Sequence, residues 1–179
     1  REANAALIAH SYTDALTGLP NRRAIFEELT TLFSLAKHLK RNAIIAFIDL
    51  DDFKLINDRY GHESGDRFLI EVGKRLTEEK QADEIIGRLG GDEFLVASLS
   101  QTNSTGESTQ INLLKTRLDA RIAGEYWLGS VNIIYPGASF GVIEVDPTVT
   151  DPDSALRAAD VAMYQHKKGK SKTCFLAMD

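Results

Sequence analysis

Apolar residues follow two rhythms along this chain. Ile25, Phe26, Leu29, Leu32, Phe33, Ala36 and Leu39 recur at steps of three and four, predicting an amphipathic helix capped by Asn21. Ahead of it, Thr13-Asp14-Ala15-Leu16-Thr17-Gly18-Leu19-Pro20-Asn21 is rich in turn formers. Residues 2–12 are weakly amphipathic and read as the tail of a linker helix, leaving 13–179 as one domain. Residues 43–48 form a short, unbroken apolar run, the mark of a strand buried on both faces. It stops abruptly in Asp49-Leu50-Asp51-Asp52. A second helix is predicted over 66–79, with Phe68, Leu69, Val72 and Leu76 on one side. The runs 85–89 and 92–96 flank Gly90-Gly91 and predict a β-hairpin turning on the two glycines. Residues 101–108 are polar and loop-like, and 111–122 return to helical spacing. Strand material over 131–145 is broken by Pro136-Gly137, 154–167 is helical, and 173–177 reads as a closing edge strand. The pattern is α+β, one sheet with helices packed on it.

Composition narrows the function without naming it. With 179 residues, 43% hydrophobic and 26% charged, the chain suits a single compact domain with its own core. Its net charge of -5 excludes a general nucleic-acid binder, which needs a broad basic surface. Cys174 is the only cysteine, so no internal disulfide exists, and a reducing, cytoplasmic setting is expected. No apolar run is long enough to span a bilayer, so this segment is expected to make no membrane contact itself. The chain begins at Arg1 and reads as a piece of a longer protein, with any upstream sensory domain or membrane anchor elsewhere. Gly169-Lys170-Ser171 is not a P-loop, because Tyr164 stands where the first glycine belongs.

The chemistry gathers in two acidic places. If the 43–48 strand neighbours the hairpin, Asp49 and Asp92-Glu93 converge, and hard divalent cations favour such carboxylate oxygens together with phosphates. Glycines beside them would let a triphosphate approach the backbone. Spacing alone leaves the alternative open, a plain hairpin turn with solvated acids.

Arg88-Leu89-Gly90-Gly91-Asp92-Glu93-Phe94 resembles the signature of the GGDEF family of diguanylate cyclases. The likeness extends to Asp14-Ala15-Leu16-Thr17-Gly18-Leu19-Pro20-Asn21-Arg22-Arg23, to the stretch from Phe47 to Asp58, and to Tyr60-Gly61-His62-Glu63-Ser64-Gly65-Asp66. Ala138-Ser139-Phe140-Gly141-Val142 and Ala159-Asp160-Val161-Ala162-Met163-Tyr164 are similar to a later strand and helix of the family. The resemblance implies a palm-like, ferredoxin-related fold, a central antiparallel sheet flanked by helices, similar to class III nucleotide cyclases. It implies condensation of two GTP into cyclic di-GMP by a homodimer with one GTP per subunit. Magnesium, with manganese as a substitute, would sit on Asp49, Asp92 and the Leu50 carbonyl; Asp92 would act as base with Glu93 assisting, and Lys54 would stabilise phosphate charge. Asn57 and Asp66 would read guanine, whose N1–H and amino group suit a carboxylate. Phe53, His62, Gly90 and Gly91 would line the nucleotide site, and Lys167 and Lys170 would meet the triphosphate.

Each assignment has a plainer counterpart. Asp66 also suits a helix N-terminus, Asn57 a turn, and Lys167 and Lys170 a solvated basic helix end. The chain departs from the family twice. Where relatives carry an Arg-x-x-Asp product site it has Gln81-Ala82-Asp83-Glu84, so feedback inhibition there is not expected. Its last basic cluster, Lys167-Lys168-Gly169-Lys170, is one residue shorter than the family pattern and ends in lysine for arginine. A catalytically silent module binding GTP or cyclic di-GMP, and a palm-fold nucleotidyltransferase with another product, are the competing functions.

Overall fold

A computed structural model of the chain describes residues 11–78, 80–101, 107–170 and 176–178. The upstream helix expected over 2–12 lies outside them apart from Ser11 and Tyr12, as do 102–106 of the polar loop and 173–175 of the closing strand. The elements are α1 (Arg22–Leu39), β1 (Ala43–Asp49), α2 (Phe53–Tyr60), α3 (His62–Glu78), β2 (Ile85–Gly90) and β3 (Glu93–Leu99). They continue with α4 (Glu107–Ile122), β4 (Gly124–Trp127), β5 (Asn132–Tyr135), β6 (Ser139–Val145), α5 (Pro152–Gly169) and β7 (Leu176–Met178).

Strand β1 is buried along its whole length because it is central, in the antiparallel order β2-β3-β1-β6. Its register sets Asp49 opposite Glu93 on one side and Ser139 on the other. Helices cover both faces. Ile25, Leu29 and Phe33 of α1 and Ala155, Ala159 and Met163 of α5 pack with Ile45 and Phe47. Ile56 of α2, Phe68 and Val72 of α3 and Leu118 of α4 pack with Ile44, Ala46 and Ile48. Period-two alternation along β1 thus feeds two separate apolar cores.

Helix α1 starts as its sequence foretells, the Asn21 carboxamide accepting from the Ala24 amide at 3.0 Å. Phe26 and Leu39, expected on its apolar stripe, instead stand outside the core. Helix α3 opens at His62 rather than Asp66, and the sequence pattern missed α2 and β4 altogether. Only Ile56 of α2 is fully buried, too little apolar signal for a periodicity to show. A small second sheet, β4-β5-β7, corrects the expected single sheet. Its Tyr126 and Tyr135 meet Phe68 edge-on, each with ring centroids 4.7 Å apart, so it joins the α3 face of the core.

The hairpin differs in one respect that matters for the site. Gly90 pairs with Glu93, so the two loop residues are Gly91 and Asp92, not Gly90 and Gly91. Asp92 therefore stands at the very tip. Gly90 (φ 139°) and Gly91 (φ 50°) both occupy left-handed backbone, and a Cβ on either would meet nothing within 4 Å.

Glu84, in the tetrad that replaces Arg-x-x-Asp, has a wholly buried side chain paired with Arg117 of α4, and accepts from the Gln81 amide at 3.0 Å. It ties the start of β2 to α4.

Helix α5 sits closest of all on β6. A Cβ on Gly141 would lie 1.9 Å from the Ala159 carbonyl oxygen and 2.3 Å from the Met163 nitrogen, both backbone atoms that cannot step aside. Gly141→Ala is expected to cost on the order of 3 kcal/mol by overpacking and to lower the melting temperature by about 6–12 °C. A thermal melt checks it; a loss of a degree or less would show that α5 floats on the sheet.

Candidate active site

One end of the central sheet collects acids. Asp49 closes β1, Asp92 forms the hairpin tip and Glu93 opens β3, with the Leu50 amide donating to the Asp92 carbonyl at 3.1 Å. Burial, with Asp92 and Asp51 as like-charged neighbours, pushes the Asp49 carboxyl above its ordinary value despite a bond from Lys167. Glu93 is raised too, by burial and then by Asp160, Asp49 and Asp92, against the weaker pull of Arg22 at 3.9 Å.

Cations come in from the end of α5. Lys167 Nζ donates to Asp49 Oδ1 at 2.6 Å, and Lys170 Nζ to Asp51 Oδ2 at 2.9 Å and to the Ala138 carbonyl. Burial alone would depress Lys167; its bond to Asp49 and the surrounding acids outweigh that and raise it. Both partners of this pair are thus shifted upward. For Asp49 burial, aided by Asp92 and Asp51, outweighs the lysine, and for Lys167 the neighbouring acids are attractive. The two lysines are accordingly not a freely solvated helix end. Asp51 is held further by Ser139 Oγ at 2.7 Å, while Tyr135 Oη donates to its carbonyl at 2.8 Å. The sequence reading missed Asp51, Ser139 and Tyr135, because nothing in spacing marks a tether between separate strands.

On the α2–α3 side, Asn57 lies within a helix rather than a turn, and Asp66 falls in the second turn of α3 rather than its first. Gly65 lets Asn57 close onto α3, one residue before Asp66: a Cβ there would strike Asn57 Oδ1 at 1.8 Å and approach Phe53 at 3.4 Å. Asp66 is exposed and carries no hydrogen bond or ion pair among the described residues, leaving its carboxylate free to accept. Phe53 stacks on Phe68 at 6.3 Å and so shares its ring with the core. His62 and Lys54 are exposed, at the start of α3 and in the first turn of α2. A groove of about 730 Å³, lined in part by Arg22, Phe26, Leu89, Gly90 and Leu156, opens on the α1–α5 side and includes neither Asn57 nor Asp66.

The hairpin tip is clamped. Arg88 donates through Nε and Nη2 to the Gly91 carbonyl at 3.0 and 2.8 Å, and through Nη1 to both Asp14 oxygens at 2.9 and 3.0 Å. Asp14 in turn accepts from the Thr17 amide and hydroxyl at 2.9 and 2.6 Å. Burial works to raise Asp14, but these bonds together prevail and hold it below the ordinary carboxylate value.

A cation would find two carboxylates and the Leu50 carbonyl here. Among the described residues no group of three His, Cys, Asp or Glu side chains is assembled to hold a metal alone. The all-oxygen, crowded and negative donor set fits a hard divalent cation that completes its shell with phosphate oxygens.

Comparison with known proteins decides what this arrangement belongs to. The family model "Diguanylate cyclase, GGDEF domain" matches residues 11–173. The chain belongs to the GGDEF family. Diguanylate cyclase DgcP of Escherichia coli (strain K12) is 66% identical over 177 residues, covering 99% of this chain and 50% of DgcP. The cyclic di-GMP phosphodiesterase PdeR of the same organism is 32% identical, over 94% of this chain and 24% of PdeR. The GGDEF domain thus spans about half the length of the first relative and a quarter of the second. A sensory box/GGDEF family protein from Caulobacter crescentus CB15 superimposes with a TM-score of 0.80 at 30% identity, over 89% of this chain and 99% of that one. Its likeness confirms the α+β fold with a central antiparallel sheet. No helix among the described residues is long and apolar enough to cross a membrane.

The Asp14–Arg88 clamp gives a pH-dependent expectation. Because the folded Asp14 lies below 3.8, its contribution is complete above that pH and is lost as pH falls through the lowered value. Asp14→Asn should therefore lose about 2 kcal/mol at neutral pH, the worth of charge-assisted bonds. The gap to the native chain should close in acid. Denaturant unfolding at several pH values measures this, and a gap that stays constant into acid would contradict it.

Proposed function

We propose that this GGDEF domain is the catalytic domain of a diguanylate cyclase, turning two GTP into cyclic di-GMP and two pyrophosphates. The observation that carries the reading is the meeting of Asp49 and Asp92 at one sheet end, with Asn57 packed on Gly65 and two lysines closing from α5. The name of the relative that shares 66% of its residues supports the same activity.

The residues divide the work by chemistry. Asp66 accepts from guanine N1–H and the exocyclic amine, with the Asn57 amide beside it. Adenine lacks that donor pair, so the site discriminates by leaving Asp66 unpaired. The glycines at positions 90 and 91 leave open space over the hairpin for the phosphates. Lys167 and Lys170 transfer from Asp49 and Asp51 to phosphate oxygens, and Lys54 adds charge from α2. Asp49, Asp92 and the Leu50 carbonyl would hold magnesium, or manganese in its place, which offsets phosphate charge and makes the α-phosphorus more electrophilic. Asp92, with Glu93 next to it, takes the proton of the attacking 3′-hydroxyl. A new O–P bond forms to the α-phosphate, the bridging bond to the β-phosphate breaks, and pyrophosphate leaves. Each site holds one GTP, so two copies must face one another for either bond to form, which makes a homodimer the working form.

Incubation with GTP and magnesium, followed by chromatography, is the direct test. Cyclic di-GMP is the expected product, and tight GTP binding with no product would favour the silent module. Asp49→Ala and Asp92→Ala should each keep the fold and lower turnover at least about a hundredfold, as loss of a group that stabilises transition-state charge does. Near-normal rates in either variant would remove the metal assignment. Asp66→Ala should weaken GTP binding far more than residual ATP binding, measured by competition; equal losses would make Asp66 structural.

A further inference from the structure

Strand β6 is an outer strand of the central sheet, bonded to β1 on one side only. Among the described residues its outward amides have no strand to donate to, and a buried N–H without an acceptor is costly. At Phe140, opposite Ile48 in the register, that amide donates to Nδ1 of His166 at 3.0 Å. The imidazole lies nearly parallel to the Phe140 ring, centroids 6.4 Å apart and planes 25° from each other. An accepting Nδ1 is unprotonated, so the ring proton sits on Nε2 and the side chain is neutral. His166 is the residue just before Lys167, in the last turn of α5, and Phe140 is the residue just after Ser139, which tethers Asp51.

We propose that His166 is a positioning residue: as a neutral acceptor for the Phe140 amide it pins the last turn of α5 to the sheet and so sets where Lys167 meets the triphosphate. Helix α5 is held in its middle by the close approach at Gly141, but the turn carrying the lysines lies beyond that point. Apart from the lysine–aspartate pairs, which an incoming phosphate would have to break, the bond at Phe140 holds that turn to the sheet. Protonation would make both ring nitrogens donors, set two N–H groups against each other and release it. Charges face the ring from three elements: Lys170 at the end of α5, Lys115 and Asp119 of α4, and Asp51 after β1. Burial, then Lys170 and Lys115, hold the imidazole below its ordinary value, with the two aspartates opposing. The neutral form therefore persists through neutral pH, and the contact, complete above the ordinary histidine value, is lost as pH falls through the lowered one.

The inference rests on the assignment of Lys167 to the phosphates, and the experiment separates the two. Binding of a non-hydrolysable GTP analogue with magnesium is measured by calorimetry for the native chain and for Lys167→Ala, His166→Ala and His166→Asn. The asparagine carries an acceptor close to the Nδ1 position but cannot titrate. At about pH 8, His166→Ala should bind about fivefold more weakly, the worth of one neutral hydrogen bond, and His166→Asn should restore binding. Towards pH 5.5 or so the native chain should lose affinity relative to His166→Asn; the analogue's own phosphate titration is common to both and cancels. Imidazole nitrogen NMR should show the Nε2–H tautomer. Native-like binding in His166→Ala alongside a loss in Lys167→Ala overturns the positioning role alone. Unchanged binding in Lys167→Ala overturns the lysine's assignment and this inference with it. An Nδ1–H tautomer, or identical pH dependence in the native chain and His166→Asn, overturns it as well.

Discussion

The guanidinium of Arg88 joins two stretches of chain that sequence keeps apart. Its two-nitrogen grip on the Gly91 carbonyl fixes the tip of a hairpin whose glycines have little conformational preference of their own. Its other arm holds Asp14, which is itself locked onto Thr17. The turn-rich bend before α1 and the β2–β3 hairpin therefore behave as one unit. Asp92 owes its place beside Asp49 both to this clamp and to the β1–β3 ladder, which continues past the strand ends in the Leu50 to Asp92 backbone bond. Lysine could not substitute, because a single ammonium has no planar fork to serve a carbonyl and a carboxylate at once.

Around that unit the two faces of the sheet have different duties. On one face α1 and α5 bring charge: Arg22 towards Glu93, and Lys167 and Lys170 towards Asp49 and Asp51. On the other, α2 and α3 pack over a core in which Phe53, Phe68, Tyr126 and Tyr135 interlock. The small sheet contributes through Tyr135, whose phenol is buried against that core while its hydroxyl steadies the Asp51 backbone.

Much of this was legible in the sequence, for identifiable reasons. The buried strand 43–48, the cap at Asn21 and the helix at 154–167 each carry a strong local signal, and the structure has all three. The convergence of Asp49 with Asp92 and Glu93 followed from one supposition, that two strands are neighbours, which the register bears out. Helix α2 escaped because eight residues with one fully buried side chain have no readable period. The hairpin was placed but its loop was misjudged by one residue, because Gly-Gly is a turn signal strong enough to hide a bulge between Arg88 and Gly90. Asp51, Ser139 and His166 were invisible for another reason. Their partners lie 88 or 26 positions away, and only the sheet order brings them together. Glu84 shows the reverse case, a position singled out only by its departure from a family pattern, whose occupation, a buried pair with Arg117, required coordinates.

The pairing of Lys167 with Asp49 and of Lys170 with Asp51 has a thermodynamic side. A cleft lined with unpaired cations binds phosphates by shedding loosely held salt, and its affinity falls steeply as ionic strength rises. Here the positive charges already have fixed partners inside the protein. An incoming anion must take the lysines from the aspartates, and the freed aspartates must then find a cation of their own. Occupation of such a site is ion exchange between matched pairs rather than condensation of charge from solution. Were phosphates to bind there, few mobile ions would be released, salt would change the equilibrium little, and anion and cation would each favour the other.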